Sequence, residues 1–162
     1  MNAAGMPAVQ DHYPEDVAHC FGCGRLNPAG HQLKSRLEGE EMVARYTPRP
    51  EHTALPGFVY GGLIASLIDC HAMATAAAAA ERAAGRGVGE GVSPRYVTAS
   101  LLVTYQRPTP LGPELELRGR VKERSDRKAV VEVSLSVGGV ETARGEVVAV
   151  RMPESMAQSS RA

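Results

Sequence analysis

From Leu63 to Ala80 the residues are nearly all apolar or small, with neither proline nor glycine among them. Ala, Leu and Met are strong helix formers, so summed propensity agrees with the pattern and one long helix is expected. The chain enters it through Gly61-Gly62 and leaves it at Gly85, where a left-handed cap costs glycine little. Because the segment is apolar on almost every side, other elements should wrap it. A membrane span is the competing reading. Asp69 and His71 in mid-segment, and the alanine-rich C-terminal half, argue against insertion into lipid.

The flanking pattern is that of strands. Leu33 to Glu38 and Met42 to Tyr46 lie either side of Gly39 and read as a hairpin. Thr47 to Pro56, with three prolines, is an irregular approach to the helix, and Arg86 to Pro94 a Gly-rich exit. Tyr96 to Gln106 alternates, with Val97, Ala99, Leu101, Val103 and Tyr105 on one side and Thr98, Ser100, Leu102 and Thr104 on the other. Glu114 to Glu123, Ala129 to Val137 and Val140 to Met152 follow, the last two joined by Gly138-Gly139 as a two-residue hairpin turn. Two strands, a buried helix and about four more antiparallel strands imply an α+β wrap. One helix covers only part of such a sheet, so pairing between subunits is expected.

Composition narrows the class. A chain of 162 residues with zero formal net charge and 43% hydrophobic content reads as one domain. It divides into a flexible arm over 1–19, a folded domain over 20–152 and a flexible tail over 153–162. Balanced charge gives no expectation of a nucleic-acid or membrane partner. No basic start followed by an apolar core marks a secretory or transit segment, and three cysteines are an odd count for a disulfide framework. A cytoplasmic, reduced protein is expected. Cys20-Phe-Gly-Cys23 resembles half of a zinc knuckle, but a second CxxC is missing and only His19 and His31 are near. The preferred reading is a tight turn with two small thiols, no metal and no cofactor.

Asp69 does not belong in the helix on packing grounds. Set between Ile68 and Cys70, its carboxylate would be costly to bury unless partnered, and it reads as a base or nucleophile in a partly apolar cleft. Cys70 and His71 are adjacent and point about 100° apart on a helix, which disfavours a Cys–His pair; His71 reads as a core histidine. There is no GxSxG, P-loop or dinucleotide fingerprint.

Pro-Gly57-Phe-Val-Tyr60-Gly61-Gly62-Leu-Ile-Ala-Ser-Leu-Ile-Asp69 resembles the signature of hotdog-fold acyl-CoA thioesterases, in particular the phenylacetate-pathway type, and Val103-Thr-Tyr105-Gln-Arg107-Pro108 resembles their strand-to-turn segment beside the coenzyme. The resemblance covers about Cys20 to Met152. It implies a hotdog fold, an antiparallel sheet of about six strands around one long helix, and hydrolysis of an acyl-CoA to a carboxylic acid and free coenzyme A. It implies Asp69 as catalytic carboxylate, the Gly61 amide as oxyanion donor and Thr98 as a hydroxyl beside the carboxylate. Gly57, Tyr60, Gly62, Arg107 and Pro108 fall at substrate-binding positions. Tyr60 replaces the family's usual His, and Ala54 its upstream Asn or His, with His52 close enough to stand in. The alternatives are a non-catalytic acyl-CoA-binding protein and, behind it, a hotdog dehydratase or hydratase.

Spacing adds an inference. Eight residues separate Gly61 from Asp69, about 12 Å along a helix, whereas reacting atoms must approach within about 3–3.5 Å. An antiparallel copy of the helix brings Asp69 of one subunit towards Gly61 of the other, so a homodimer, or a dimer of dimers, is the expected working unit.

Overall fold

The computed structural model describes residues 5–159. The hairpin of β1 (Ser35–Glu38) and β2 (Glu41–Tyr46) precedes helix α1 (Gly61–Ala83). Strands β3 (Tyr96–Tyr105), β4 (Leu115–Arg124), β5 (Lys128–Val137) and β6 (Val140–Arg151) follow, then a short helix α2 (Glu154–Ser159). All six strands form one antiparallel sheet in the order β1-β2-β4-β5-β6-β3, so β1 and β3 are its edges. The expected hotdog architecture is what the chain adopts.

Helix α1 lies across one face of this sheet. Leu63, Ile64, Leu67 and Ile68 are almost completely buried, as are Leu115, Leu117, Val131, Val133, Leu135 and Val147. Two strand glycines allow the close approach. A Cβ at Gly119 would stand 2.4 Å from Thr75 Oγ1, and one at Gly145 would stand 2.3 Å from Ile68 Cγ2, both impossible contacts. By length and composition α1 could cross a membrane, but 72% of its apolar window is buried inside the protein. Gly85, at φ +74°, ends the helix region as the sequence leads one to expect.

The first segment and the tail differ from expectation. Over residues 8–18 the chain is packed, not a free arm: Val9–His12 and Glu15–Val17 form two 3-10 turns, and Val9, Tyr13 and Ala18 join the core. Buried apolar anchors at irregular spacing leave no period to read. The tail also carries regular structure, since Glu154–Ser159 is helical.

A chain of hydrogen-bonded polar groups in the core ties this segment to the helix. His71 is fully buried. Its Nε2 faces the Met42 carbonyl at 3.0 Å and must therefore carry the proton, so Nδ1 accepts from the Ser35 hydroxyl at 2.8 Å. Ser35 Oγ in turn accepts from Gln10 Nε2 at 3.0 Å, and the Ser35 amide donates to Gln10 Oε1 at 2.8 Å. His71 is the core histidine that its position suggested.

Burial pushes the His71 imidazole down to about 4, from 6.5. The unfolded chain therefore takes up a proton before the folded one does. This contribution to stability is complete above about pH 6.5 and is lost as pH falls towards 4. Urea unfolding should show about 2 kcal/mol less stability at pH 5 than at pH 7 from this group. An NMR titration of His71 with a midpoint near 6.5 in the folded protein would contradict it.

Candidate active site

The helix start is held by its own approach loop and by the loop after β3. The Val59 amide donates to the Thr109 carbonyl at 2.9 Å, the Leu111 amide to the Gly57 carbonyl at 2.9 Å, and the Tyr60 amide to the His52 carbonyl at 3.0 Å. Gly57 takes φ +89°, a conformation few other residues adopt cheaply. Tyr105, at the end of β3, donates its hydroxyl to the Gly61 carbonyl at 2.7 Å. Tyr60 is the N-cap and makes no side-chain cap bond. The first-turn amides have no intrahelical acceptor by construction, and among the described residues neither the Gly61 nor the Gly62 amide meets a backbone carbonyl. They form the positive end of a 23-residue helix dipole. A Cβ at Gly62 would stand 2.5 Å from the Tyr60 ring, which would have to move to admit it.

Asp69 stands two turns further along, half-buried, and accepts a hydrogen bond from the Thr98 hydroxyl on β3. Burial raises its pKa above the usual carboxylate range, and the Thr98 bond opposes that shift in part. The alternation read from sequence places Thr98 and Tyr105 on opposite faces of β3; the structure corrects this. The register slips between Thr98 and Ser100, where Thr98 pairs with Ala149 but Ser100 with Val148. This bulge turns Thr98 to the face of Ala149, Val147 and Ala143, the buried face of β6, which Leu101, Val103 and Tyr105 share. One strand thereby contacts both the helix start and the carboxylate.

The remaining candidates separate. His52 is buried, its Nδ1 accepting from the Arg49 amide at 3.0 Å, so its ring is engaged in the approach loop. Its Nε2 then carries the proton, and the 3.4 Å approach of Arg49 Nη2 is a meeting of two donors, not a hydrogen bond. Burial holds the ring neutral by lowering its pKa. Arg107 and Pro108 are exposed on the loop that the helix approach is stitched to. Tyr60 is also exposed, beside Gly62. Sequence reasoning missed Tyr105 as an individual; an aromatic ending a strand just before Gln-Arg-Pro was the available signal. A concavity of about 480 Å³ lies at the far end of α1, between Thr75, Ala79, Arg82, Met42 and Arg120, and no candidate residue lines it. Gly62 is exposed, whereas Gly61 and Asp69 are half-buried.

Comparison with known proteins agrees with the fold. Residues 56–150 match the family model described as the thioesterase superfamily. Among solved structures, the chain is similar to a thioesterase superfamily protein from Shewanella loihica PV-4, with 50% identity, 85% of this chain and 96% of that one covered, and a TM-score of 0.66. It shares its fold with the E. coli PaaI protein of the phenylacetic acid degradation operon (14% identity, 76% and 81% covered, TM-score 0.61). It shares it also with Streptococcus mutans UA159 smu.793, solved bound to acetyl CoA (18% identity, 74% and 88% covered, TM-score 0.57). No curated protein matches the chain.

Because the Thr98 hydroxyl lowers the Asp69 pKa against the effect of burial, removing it has a defined sign. Thr98→Val should move the Asp69 titration to still higher pH, followed by carboxyl NMR. An unchanged or lower midpoint would mean that the hydroxyl does not stabilise the ionised form.

Proposed function

This chain belongs to the thioesterase superfamily, and from that premise we propose that it hydrolyses an acyl-CoA to a carboxylic acid and free coenzyme A. The observation that carries the reading is Asp69: a half-buried helix carboxylate of raised pKa, oriented by Thr98, on the same helix as a pair of open glycine amides. Solved relatives of the same fold hold acetyl CoA or coenzyme A, which supports a coenzyme A thioester as the substrate class.

In this reading Asp69 removes a proton from water as it attacks the thioester carbonyl, or attacks that carbon itself. The C–S bond then breaks and the coenzyme leaves as its thiol, taking the proton held by Asp69 in the first route and one from solvent in the second, where water then hydrolyses the Asp69–acyl anhydride. The Gly61 amide, with Gly62 beside it, faces the oxygen on which charge develops; one such donor is worth about 10²–10³ in rate. Tyr60, Gly57, Arg107 and Pro108, gathered by the stitched loops, border the entrance for the coenzyme.

The site is shared between two subunits. Leu101 and Tyr105 point to the helix side of the sheet yet are 38% and 51% exposed, whereas Val147 and Ala143, their β6 partners, are fully buried. Helix α1 of one chain therefore covers β6 fully but touches β3 only in places, at Thr98 and the Tyr105 hydroxyl, and leaves Leu101 and much of Tyr105 uncovered. A second copy, with its β3 antiparallel to the first, supplies that cover and sets Asp69 of one subunit against the glycine amides of the other.

Two experiments test these statements. Asp69→Ala should lower thiol release from the best of a panel of aryl-, short- and long-chain CoA thioesters by about 10²–10⁴-fold, with fold and acyl-CoA binding retained. Retention of most of the rate sinks the mechanism. For the shared site, Asp69→Asn and Gly61→Pro subunits are co-expressed. Random pairing makes about half the dimers mixed, each with one intact site, so roughly a quarter of wild-type activity should return. Heterodimers that form without any such recovery would place the pair within one chain.

A further inference from the structure

Cys20, Cys23 and Cys70, all the cysteines of the chain, meet although Cys20 and Cys70 are separated by 50 positions in sequence. Their sulfur atoms all lie within 4.8 Å of one another, and Cys20 Sγ to Cys70 Sγ is 3.8 Å. Four metal–sulfur bonds of about 2.3 Å at tetrahedral angles put neighbouring sulfurs about 3.8 Å apart. The sequence expectation of no metal rested on two thiols with only His19 and His31 to complete them. His31 is engaged otherwise, with its Nδ1 3.1 Å from the Tyr46 hydroxyl, and the third sulfur comes from the helix instead.

The surroundings suit a cluster that carries negative charge. Cys23 and Cys70 are buried and Cys20 half-buried. Arg95 is half-buried, stacks 4.7 Å from the centre of the Tyr13 ring, and lies within electrostatic reach of all three thiols. The Tyr13 hydroxyl is buried beside Arg95 and lies within electrostatic reach of Cys23 and Cys70. A half-buried cation beside three neutral thiols lacks a counter-charge; beside thiolates it finds one. A Cβ at Gly22 would meet Cys70 Sγ at 2.3 Å, so this turn is built to let backbone touch the third sulfur.

We propose that Cys20, Cys23 and Cys70 form a three-thiolate site for a thiophilic d¹⁰ metal ion, Zn²⁺ foremost, which clamps the 20–23 turn to helix α1 one residue beyond Asp69. An all-sulfur set selects Zn²⁺ or Cu⁺ over Mg²⁺ and Ca²⁺, which need oxygen ligands. The three thiol protons leave to solvent as the metal binds, and water takes the fourth vertex. Zn²⁺ with three thiolates carries one net negative charge, which Arg95 offsets.

The test uses the full chain and is read without any activity. Protein purified without chelator should contain one zinc per chain by elemental analysis. Zinc-free protein given Co²⁺ should develop sulfur-to-cobalt charge-transfer absorption and the visible bands of tetrahedral cobalt. Cys70→Ser keeps the CxxC and should weaken Zn²⁺ binding by more than about 100-fold, since changes outside the ligand set alone cost 10–100-fold. Should that variant fail to fold, the wild type decides: Zn²⁺ should protect all three thiols from a thiol reagent, and a chelator should release them. Zinc-free wild type that binds neither ion more tightly than Cys70→Ser, thiols unprotected by Zn²⁺, or a disulfide leaving one free thiol would each overturn the proposal.

Discussion

Everything in this fold depends on enclosing a helix that is apolar on nearly every side. Such a helix has no hydrophobic face to choose, so burial alone does not decide its rotation about its own axis. Three consecutive residues decide it. Successive helical residues point about 100° apart, and Asp69, Cys70 and His71 each meet a different cover. Asp69 meets Thr98 on β3, Cys70 meets Cys20 and the Gly22 backbone in the N-terminal turn, and His71 meets Ser35 on β1 and Met42 on β2. Rotating the helix by one residue would break all three sets and leave buried polar atoms unpaired, each at about 1–3 kcal/mol.

The same three residues show what was legible in the sequence and why. The helix, the hairpin before it, the antiparallel run after it and the glycine turns were readable because each is written in local period or turn chemistry. Asp69 stood out because a carboxylate in an apolar helix violates the local rule, and His71 read as a core histidine. The contact partners were not readable. Thr98 reaches Asp69 through a bulge at Ala99, and a single inserted position in YVTASLLVTY has no signature in its alternation. Cys70 joins the CxxC only because the N-terminal turn folds back over the helix. Val9 and Tyr13 are core residues in a stretch with too few of them to make a pattern.

The two edges of the sheet differ in a way that bears on the proposed dimer. At one end β1 is four residues long and carries Arg36 and Glu38, a short and charged edge of the kind that resists pairing with another chain. At the other, β3 is ten residues long, YVTASLLVTY, with no charge and no proline, and Leu101, Leu102 and Tyr105 are exposed. A long uncharged edge is an aggregation hazard if it stays open. It ceases to be one if a second β3 closes it. The bulge that aims Thr98 also locally disrupts the edge near its start, which limits the registers in which two copies can pair. Under that pairing the strand that orients the carboxylate and touches the helix start is also the strand that brings the second subunit. Site assembly and protection of the edge then become a single requirement on the sequence of β3, and a charge placed there to solubilise one chain would remove the surface on which the site is built.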